Sequence, residues 1–164
     1  MKEKDWGSGL GEDARNIVGD IYEGLPVDEP NFKFFYTSPK QFSGFSRHSR
    51  NIIYFQKDTT NKFTIYKDLY SKPQLFFLIQ GEDEDILSNY LLENKSLIIN
   101  TIKDGERREK IRRIRKSPSN SNVLSERIGI KLVYPSIYKT VKDTFNFVWL
   151  EKKILKGTLN IISY

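Results

Sequence analysis

The apolar positions of the first 25 residues recur every three or four residues, which is the period of one face of an α-helix. They are Leu10, Ala14, Ile17, Val18, Ile21, Tyr22 and Leu25. Gly24 and Pro26 follow, a glycine suited to a left-handed helix cap and a proline that blocks further helix. The pattern predicts an amphipathic helix that ends before Pro26.

Short runs rich in aromatic and β-branched residues come next, and such runs are typical of strands. The strands predicted are residues 32–36, 51–56, 63–68 and 74–80. A turn-rich connection separates the second strand from the third and predicts a hairpin. The run from Gln74 to Gln80 is almost continuously apolar, as in strands buried on both faces, so we place it centrally in the sheet.

Residues 82–116 predict a long helix with an apolar face in its first two thirds. That face consists of Ile86, Leu87, Tyr90, Leu91, Leu97, Ile98 and Ile102. Acidic residues at 82–85 and basic residues at the far end suit the helix dipole. Because the face does not continue past Gly105, we expect either a bend at Asp104–Gly105 or a change of packing partner there.

The C-terminal third predicts a short helix within residues 120–128 and strands at 130–134, 144–150 and 157–164. In the second of these strands Phe145, Phe147 and Trp149 share a face. Helices and strands come in blocks, so the predicted fold class is α+β. We expect a two-layer sandwich, a mostly antiparallel sheet of about five to seven strands with two or three helices on one face. The length of 164 residues fits a single domain spanning residues 1–164, itself a piece of a longer protein.

Composition limits the functional classes. Lys and Arg number 27 against 21 Asp and Glu, a net charge of +6, which permits binding to anions without requiring it. The absence of cysteine excludes disulfides, a thiolate nucleophile and cysteine-based metal sites. No apolar run approaches the roughly 20 residues that span a bilayer. No pattern indicates a cofactor.

Residues 107–116 form the most basic run of the chain. Its cations are Arg107, Arg108, Lys110, Arg112, Arg113, Arg115 and Lys116. They predict a phosphate-binding surface for nucleic acid, anionic lipid or an acidic protein. The alternative is a solvated helix end, whose cations favour the dipole and pair with Glu106 or Glu109. The run lacks aromatic residues for base stacking, which argues against specific nucleic-acid recognition.

The polar segment 43–50 carries the single histidine of the chain, His48, beside Arg47 and Arg50. It could form an anion-binding loop, or His48 could act as a general base in a hydrolase. A lone histidine lacks partners for a metal site, and no carboxylate that would orient it can be named. The competing interpretation is a polar loop at the sheet edge.

The order of several short motifs resembles a known family. The matching stretches are WGSGLGEDARNIVGDIYEGLPVDEPNFKFFYTSPKQF, RNIIYF, KPQLFFLIQGEDED, GIKLVYP and FVWLEKK. Together they resemble the N-terminal half of the uncharacterised Bacteroidota lipoproteins grouped as domain of unknown function 4837. Within them the matching pairs and triplets are Trp6-Gly7, Leu25-Pro26, Glu29-Pro30, Arg50-Asn51-Ile52, Lys72-Pro73-Gln74 and Phe147-Val148-Trp149-Leu150.

The resemblance implies a bacterial cell-envelope location on the periplasmic side, with a lipidated cysteine outside this chain. It also implies a β-strand before Trp6 and a second half after Tyr164. Because the family has no established activity, no catalytic residue can be carried over. We therefore expect a non-enzymatic binding or scaffolding domain without a cofactor, whose partner is another protein or the rest of the native chain. Membrane contact would come through the lipid anchor, and an envelope location argues against nucleic acid. An anion-binding module using residues 107–116 is the alternative.

Overall fold

The computed structural model describes residues 6–19 and 30–164. It divides into two compact units, Met1–Glu106 (unit 1) and Arg107–Tyr164 (unit 2). The helices are α1 (Gly9–Val18), α2 (Glu84–Glu93), α3 (Lys95–Lys116) and α4 (Val123–Ile128). The strands are β1 (Asn51–Lys57), β2 (Lys62–Lys67), β3 (Leu75–Gly81), β4 (Lys139–Thr144), β5 (Phe147–Ile154) and β6 (Gly157–Ser163), and a 3-10 helix covers Gly44–His48. The single-domain organisation stays a prediction.

Unit 1 contains a three-stranded sheet with β3 in the middle. β3 runs parallel to β1 and antiparallel to β2. Phe77 and Ile79 of β3 are fully buried. The central position predicted for the run from Gln74 to Gln80 is confirmed, because a strand with apolar residues on both faces loses the most exposed surface there.

The predicted hairpin between residues 51–56 and 63–68 is wrong. β1 and β2 do not pair with each other, since β3 lies between them. The connection from β1 to β2 crosses the end of β3, and Asp58 binds it there. Its backbone N–H donates to the carbonyl of Gly81 at 3.0 Å, and its carboxylate accepts from the Gln80 amide at 3.1 Å. The turn is therefore attached to the end of the strand it crosses.

The core of unit 1 lies where the apolar face of the helices packs against one face of the sheet. Its buried residues are Leu10, Ala14, Ile17, Val18, Phe55, Leu75, Phe77, Ile79, Leu87, Leu91, Ile98 and Ile102. The first four confirm the apolar face predicted for the first helix. The rest of that prediction, Ile21, Tyr22, Gly24, Leu25 and Pro26, lies outside the described residues.

The helix predicted over residues 82–116 is interrupted at Asn94, and it continues without a break through Gly105. The helix is not interrupted at Asp104–Gly105, and of the two alternatives expected there the change of packing partner agrees with the division between unit 1 and unit 2 after Glu106. The Asn94 side chain donates to the Tyr90 carbonyl at 2.8 Å, a local bond that competes with regular helix. The break also changes the apolar face, because Leu97 is 51% exposed whereas Ile98 is fully buried. At the other end, Asp83 caps α2 by accepting from the Ile86 N–H at 2.8 Å.

Two predicted strands are absent from the described structure, residues 32–36 and 130–134. Phe32 and Phe34 instead pack against the core of unit 1 from an irregular segment. Tyr134 is buried beside Pro135, whose isolated bridge to Pro118 does not extend into a ladder. Proline cannot donate to a ladder, so pairing stops at that point.

Unit 2 is an antiparallel meander in the order β4-β5-β6, covered on one face by α4. Val148 and Leu150 are fully buried and pack with Val123, Leu124 and Tyr134. Trp149 points to the other face, where its indole N–H donates to Asn160 at 2.8 Å. Phe145 does not share that face, because it lies in the turn before β5 and is 87% exposed.

The structure confirms the α+β class. Within residues 6–19 and 30–164, six strands form two three-stranded sheets, whereas the sequence pattern predicted one sheet. Three of the four strand pairs among the described residues are antiparallel, and the β1–β3 pair is parallel. None of the described helices is long and apolar enough to cross a membrane.

Candidate functional site

A cavity of about 460 Å³ lies beside β1 in unit 1. Its lining comes from the irregular residues 32–37, from β1, from α1 and from α3. Because residues 32–36 do not join the sheet as a strand, the space next to the β1 edge stays open. This volume is within the range of roughly 300–1,000 Å³ typical of small-molecule sites.

Aromatic rings dominate the lining. Phe42 contacts Tyr54 with ring centroids 5.3 Å apart, and Trp6 stacks on Tyr36 at 5.1 Å. The aromatic lining residues are Trp6, Phe32, Phe34, Phe35, Tyr36, Phe42, Tyr54 and Phe55. Such walls favour flat or aliphatic groups through burial and ring stacking.

Three charged residues line the cavity, Lys33, Arg50 and Glu106, and the last two form an ion pair. Arg50, at the residue before β1, donates to Glu106 of α3 at 2.6 Å, and the Asn51 amide donates to the other carboxylate oxygen at 3.0 Å. The side chains of Arg50 and Glu106 are 38% and 26% exposed, so both remain accessible from the cavity. Since the two charges neutralise each other, the site favours a polar, uncharged group at this point.

Arg50 alone among the three predicted loop residues lines the cavity. Arg47 turns its guanidinium over the rings of Phe42 and Tyr70, at 5.6 and 5.2 Å from their centroids. His48 is exposed, and no side chain in the described part of the chain hydrogen-bonds its ring. Residues 6–19 and 30–164 also contain no cluster of three or more histidine and acidic side chains suited to a metal ion. Arg47 and Arg50 therefore make different contacts, and only Arg50 belongs to the cavity.

The 43–50 loop is fixed by Gln74, which the sequence pattern assigned only to a strand. Gln74 is 3% exposed, and its amide donates to the carbonyls of Arg47 and Ser49, each at 2.7 Å. Its own backbone N–H donates to Asp68 at 2.9 Å. These bonds bring the start of β3 against the loop before β1, which positions Arg50 at the cavity. A glutamine at a strand end gives no sign of this role.

The basic run lies on the last turns of α3 in unit 2, where all seven predicted cations are exposed. Glu109 is 6% exposed and accepts from Arg112 at 2.6 and 2.8 Å and from Arg113 at 2.8 Å. Hydrogen bonds from these two guanidinium groups lower the pKa of Glu109 to about 2, and the same contact raises the pKa of Arg112. Two of the predicted anion-binding cations are thus engaged by a carboxylate of their own helix.

Comparison with known families divides the chain near residue 116. A family model described as Domain of unknown function (DUF8532) matches residues 1–115, and a model described as Domain of unknown function (DUF4837) matches residues 117–164. The second match contains GIKLVYP and FVWLEKK, so the resemblance to domain of unknown function 4837 is shown for that segment. The motifs that precede it lie in the first match. No curated protein and no solved structure matches the chain. Because the first model covers more than half of the sequence, the chain belongs to the family described as Domain of unknown function (DUF8532), and a segment of Domain of unknown function (DUF4837) follows it.

Proposed function

We propose that this chain is a non-enzymatic binding domain whose ligand site is the cavity beside β1. The observation that carries the proposal is the combination of an aromatic lining with one compensated ion pair, Arg50 and Glu106, in the same lining. Largely apolar cavities with a few convergent polar groups are the usual form of small-molecule sites. The ligand that fits is a small molecule with an aromatic or aliphatic body and an uncharged polar end.

The ion pair gives this proposal a directional test. An amphipathic anion such as anilinonaphthalene sulfonate can meet Arg50 only in competition with Glu106. Glu106→Gln removes that competition, so the probe should bind the variant about five to ten times more tightly, whereas Arg50→Gln should weaken binding below the wild-type level. Lys57→Gln is the matched control, because it breaks a different ion pair of unit 1, the one with Glu84 at 3.3 Å, which lies outside the cavity lining.

Fluorescence titration of the four proteins measures this, with circular dichroism to check that each is folded. Equal probe affinity in all four, or equal changes in the Lys57→Gln control, would show that the probe binds elsewhere and would remove the cavity as the site.

We infer in addition that the native protein is a lipid-anchored protein of the bacterial cell envelope. The proposal rests on what the resemblance of the motifs to the Bacteroidota lipoproteins implies, and the DUF4837 match covers those motifs that lie in residues 117–164. Metabolic labelling of the native protein with radioactive palmitate, followed by membrane fractionation, tests it. Label in the membrane fraction is the expected result, and an unlabelled protein in the soluble fraction contradicts it.

Anion binding by the end of α3 is the second candidate. Arg108, Lys110 and Arg115 are exposed, and the one carboxylate within the run bonds Arg112 and Arg113. The proposal is that residues 107–116 contact anionic lipid headgroups, since an envelope location offers such a surface.

The triple variant Arg108→Gln, Lys110→Gln and Arg115→Gln tests the role of the run. Its control replaces the exposed residues Lys131, Lys139 and Lys156 by Gln, which removes the same charge elsewhere in unit 2. Vesicles containing phosphatidylglycerol should bind the wild type and the control at low salt and release both at moderate salt. They should bind the triple variant much more weakly. Equal loss in both variants would indicate an effect of net charge alone, and binding of duplex DNA without vesicle binding would favour nucleic acid instead.

A further inference from the structure

Lys33 is the charged residue of the cavity lining that stands outside the pair of Arg50 and Glu106. Its side chain makes no hydrogen bond or ion pair with the residues that the structure describes. Since Arg50 and Glu106 neutralise each other, the lining carries one uncompensated positive charge, and that charge is on Lys33. An opposite charge gains more at the edge of a partly water-excluded cavity than in bulk water.

Exposure alternates along residues 32–36. Phe32 and Phe34 pack against the core of unit 1, whereas Lys33 and Phe35 are exposed, Phe35 to 89%. A period of two is that of an extended chain, in which residues i and i+2 lie on the same side, about 7 Å apart. Lys33 and Phe35 both line the cavity, so they present a cation beside an aromatic ring there.

We propose that the ligand of this cavity is a small carboxylic acid, whose carboxylate pairs with Lys33 and whose apolar body covers Phe35. The inference rests on the proposed function and adds an anionic group to that ligand. Arg50 does not compete for the carboxylate, because Glu106 already bonds it at 2.6 Å. A neutral ligand of the same shape leaves Lys33 unpaired, and a cationic ligand is repelled by it.

Phe35 provides the second half of the recognition. An exposed phenyl ring in a cavity lining gains stability when an apolar body removes its surface from water. Aromatic bodies add favourable ring contacts to this burial. The spacing of about 7 Å between Lys33 and Phe35 suits a molecule in which the carboxylate is attached directly to a ring system.

Calorimetric titration with two ligands of the same shape tests the charge. 2-Naphthoate carries a carboxylate at neutral pH, whereas 2-naphthamide carries an uncharged amide on the same rings. The wild type should bind 2-naphthoate about five times more tightly, the factor expected of one partly exposed ion pair. In Lys33→Gln the two affinities should become equal. Lys40→Gln is the matched control and should keep the preference, because Lys40 is an exposed lysine outside the lining.

A second pair of variants tests the place of the apolar body. Phe35→Ala should weaken the binding of both naphthalene ligands about fivefold, since the ring surface that they cover is lost. Phe45→Ala is its control, because Phe45 is 94% exposed and lies outside the lining. It should change neither affinity by more than about twofold. Circular dichroism checks that each variant is folded.

The two ligands separate the failure of this inference from the failure of the proposed function. Equal affinity of the wild type for both, or loss of the preference in Lys40→Gln as well, overturns the role of Lys33 while the cavity remains the site. An effect of Phe45→Ala as large as that of Phe35→Ala overturns the role of Phe35. Binding of neither ligand to the wild type overturns the proposed function, and this inference with it.

Discussion

Arg50 and Glu106 are 56 positions apart in sequence, and their side chains meet at 2.6 Å. The pair joins the residue before β1 to α3, and Asn51 adds a second bond to the same carboxylate at 3.0 Å. Two polar groups in the lining of an aromatic cavity therefore depend on one acidic residue. Its removal should affect both the stability of unit 1 and the chemistry of the cavity.

Replacement of Glu106 by Gln should lower the free energy of unfolding by about 1 kcal/mol, the upper end of the range for partly exposed pairs. The amide keeps the size of the side chain but loses the charge that both Arg50 and Asn51 contact. Urea unfolding followed by circular dichroism measures the change.

Glu84→Gln provides the comparison. Glu84 pairs with Lys57 at 3.3 Å, a longer contact than that between Arg50 and Glu106. Glu84→Gln should therefore lower the free energy of unfolding by about 0.5 kcal/mol or less. If Glu84→Gln lowered the free energy of unfolding more than Glu106→Gln, the structural importance assigned to Glu106 would be contradicted.

Replacement of Gln74 by Leu should lower the free energy of unfolding by about 3 kcal/mol. The leucine fits the buried position, but the carbonyls of Arg47 and Ser49 lose their donor and the Tyr70 N–H loses its acceptor, and each lost hydrogen bond costs about 1 kcal/mol. Hydrogen exchange should also become faster in residues 43–50, because the loop loses its attachment to β3. Gln41→Leu is the control, since Gln41 is exposed. If Gln41→Leu lowered the free energy of unfolding as much as Gln74→Leu, the prediction would be contradicted.

Sequence periodicity predicted the elements whose burial is determined locally. The run QLFFLIQ identified β3, because uninterrupted apolar residues have no solvent face to occupy. Periodicity does not identify partners, so the insertion of β3 between β1 and β2 was missed. That arrangement depends on Asp58, whose bonds reach Gly81 and Gln80 at the far end of the sheet.

The candidate site was less predictable than the fold. Arg50 was recognised as a cation in a polar loop, and Glu106 as an acid near arginines of its own helix. Their contact with each other depends on how α3 packs on the sheet, which no spacing along the chain encodes. The cavity likewise arises because residues 32–36 have strand-like composition without joining the sheet, and composition alone predicted the opposite.

The stability of unit 2 should fall in acid through Glu109. The ordinary pKa of this group is 4.5, and hydrogen bonds from Arg112 and Arg113 lower the pKa to about 2 in the folded chain. The ionised form is therefore favoured by folding. Its contribution is fully present above pH 5 or so and is lost as the pH falls from about 4.5 towards 2.

Urea unfolding of the wild type and of Glu109→Gln between pH 7 and pH 2 tests this dependence. The variant should be less stable near neutral pH, and the two curves should converge as the pH approaches 2. Glu126→Gln controls for the loss of one exposed carboxylate in the same unit. Parallel curves for wild type and Glu109→Gln over the whole range would show that Glu109 is not the titrating group.

Replacement of Tyr134 by Phe should stabilise unit 2. Tyr134 is 3% exposed, and its hydroxyl finds no hydrogen-bond partner among the described residues. Because a buried hydroxyl without a partner costs about 1–3 kcal/mol, its removal should raise the free energy of unfolding by about 1 kcal/mol, with the ring and its packing unchanged. Tyr138→Phe is the matched control, since Tyr138 is half-buried and meets Tyr134 edge-on with ring centroids 6.3 Å apart. Urea unfolding should show a gain for the Tyr134 variant and little change for the control. A loss of stability in Tyr134→Phe would mean that the hydroxyl has a partner in solution, and a buried water would then be the group to seek at that position.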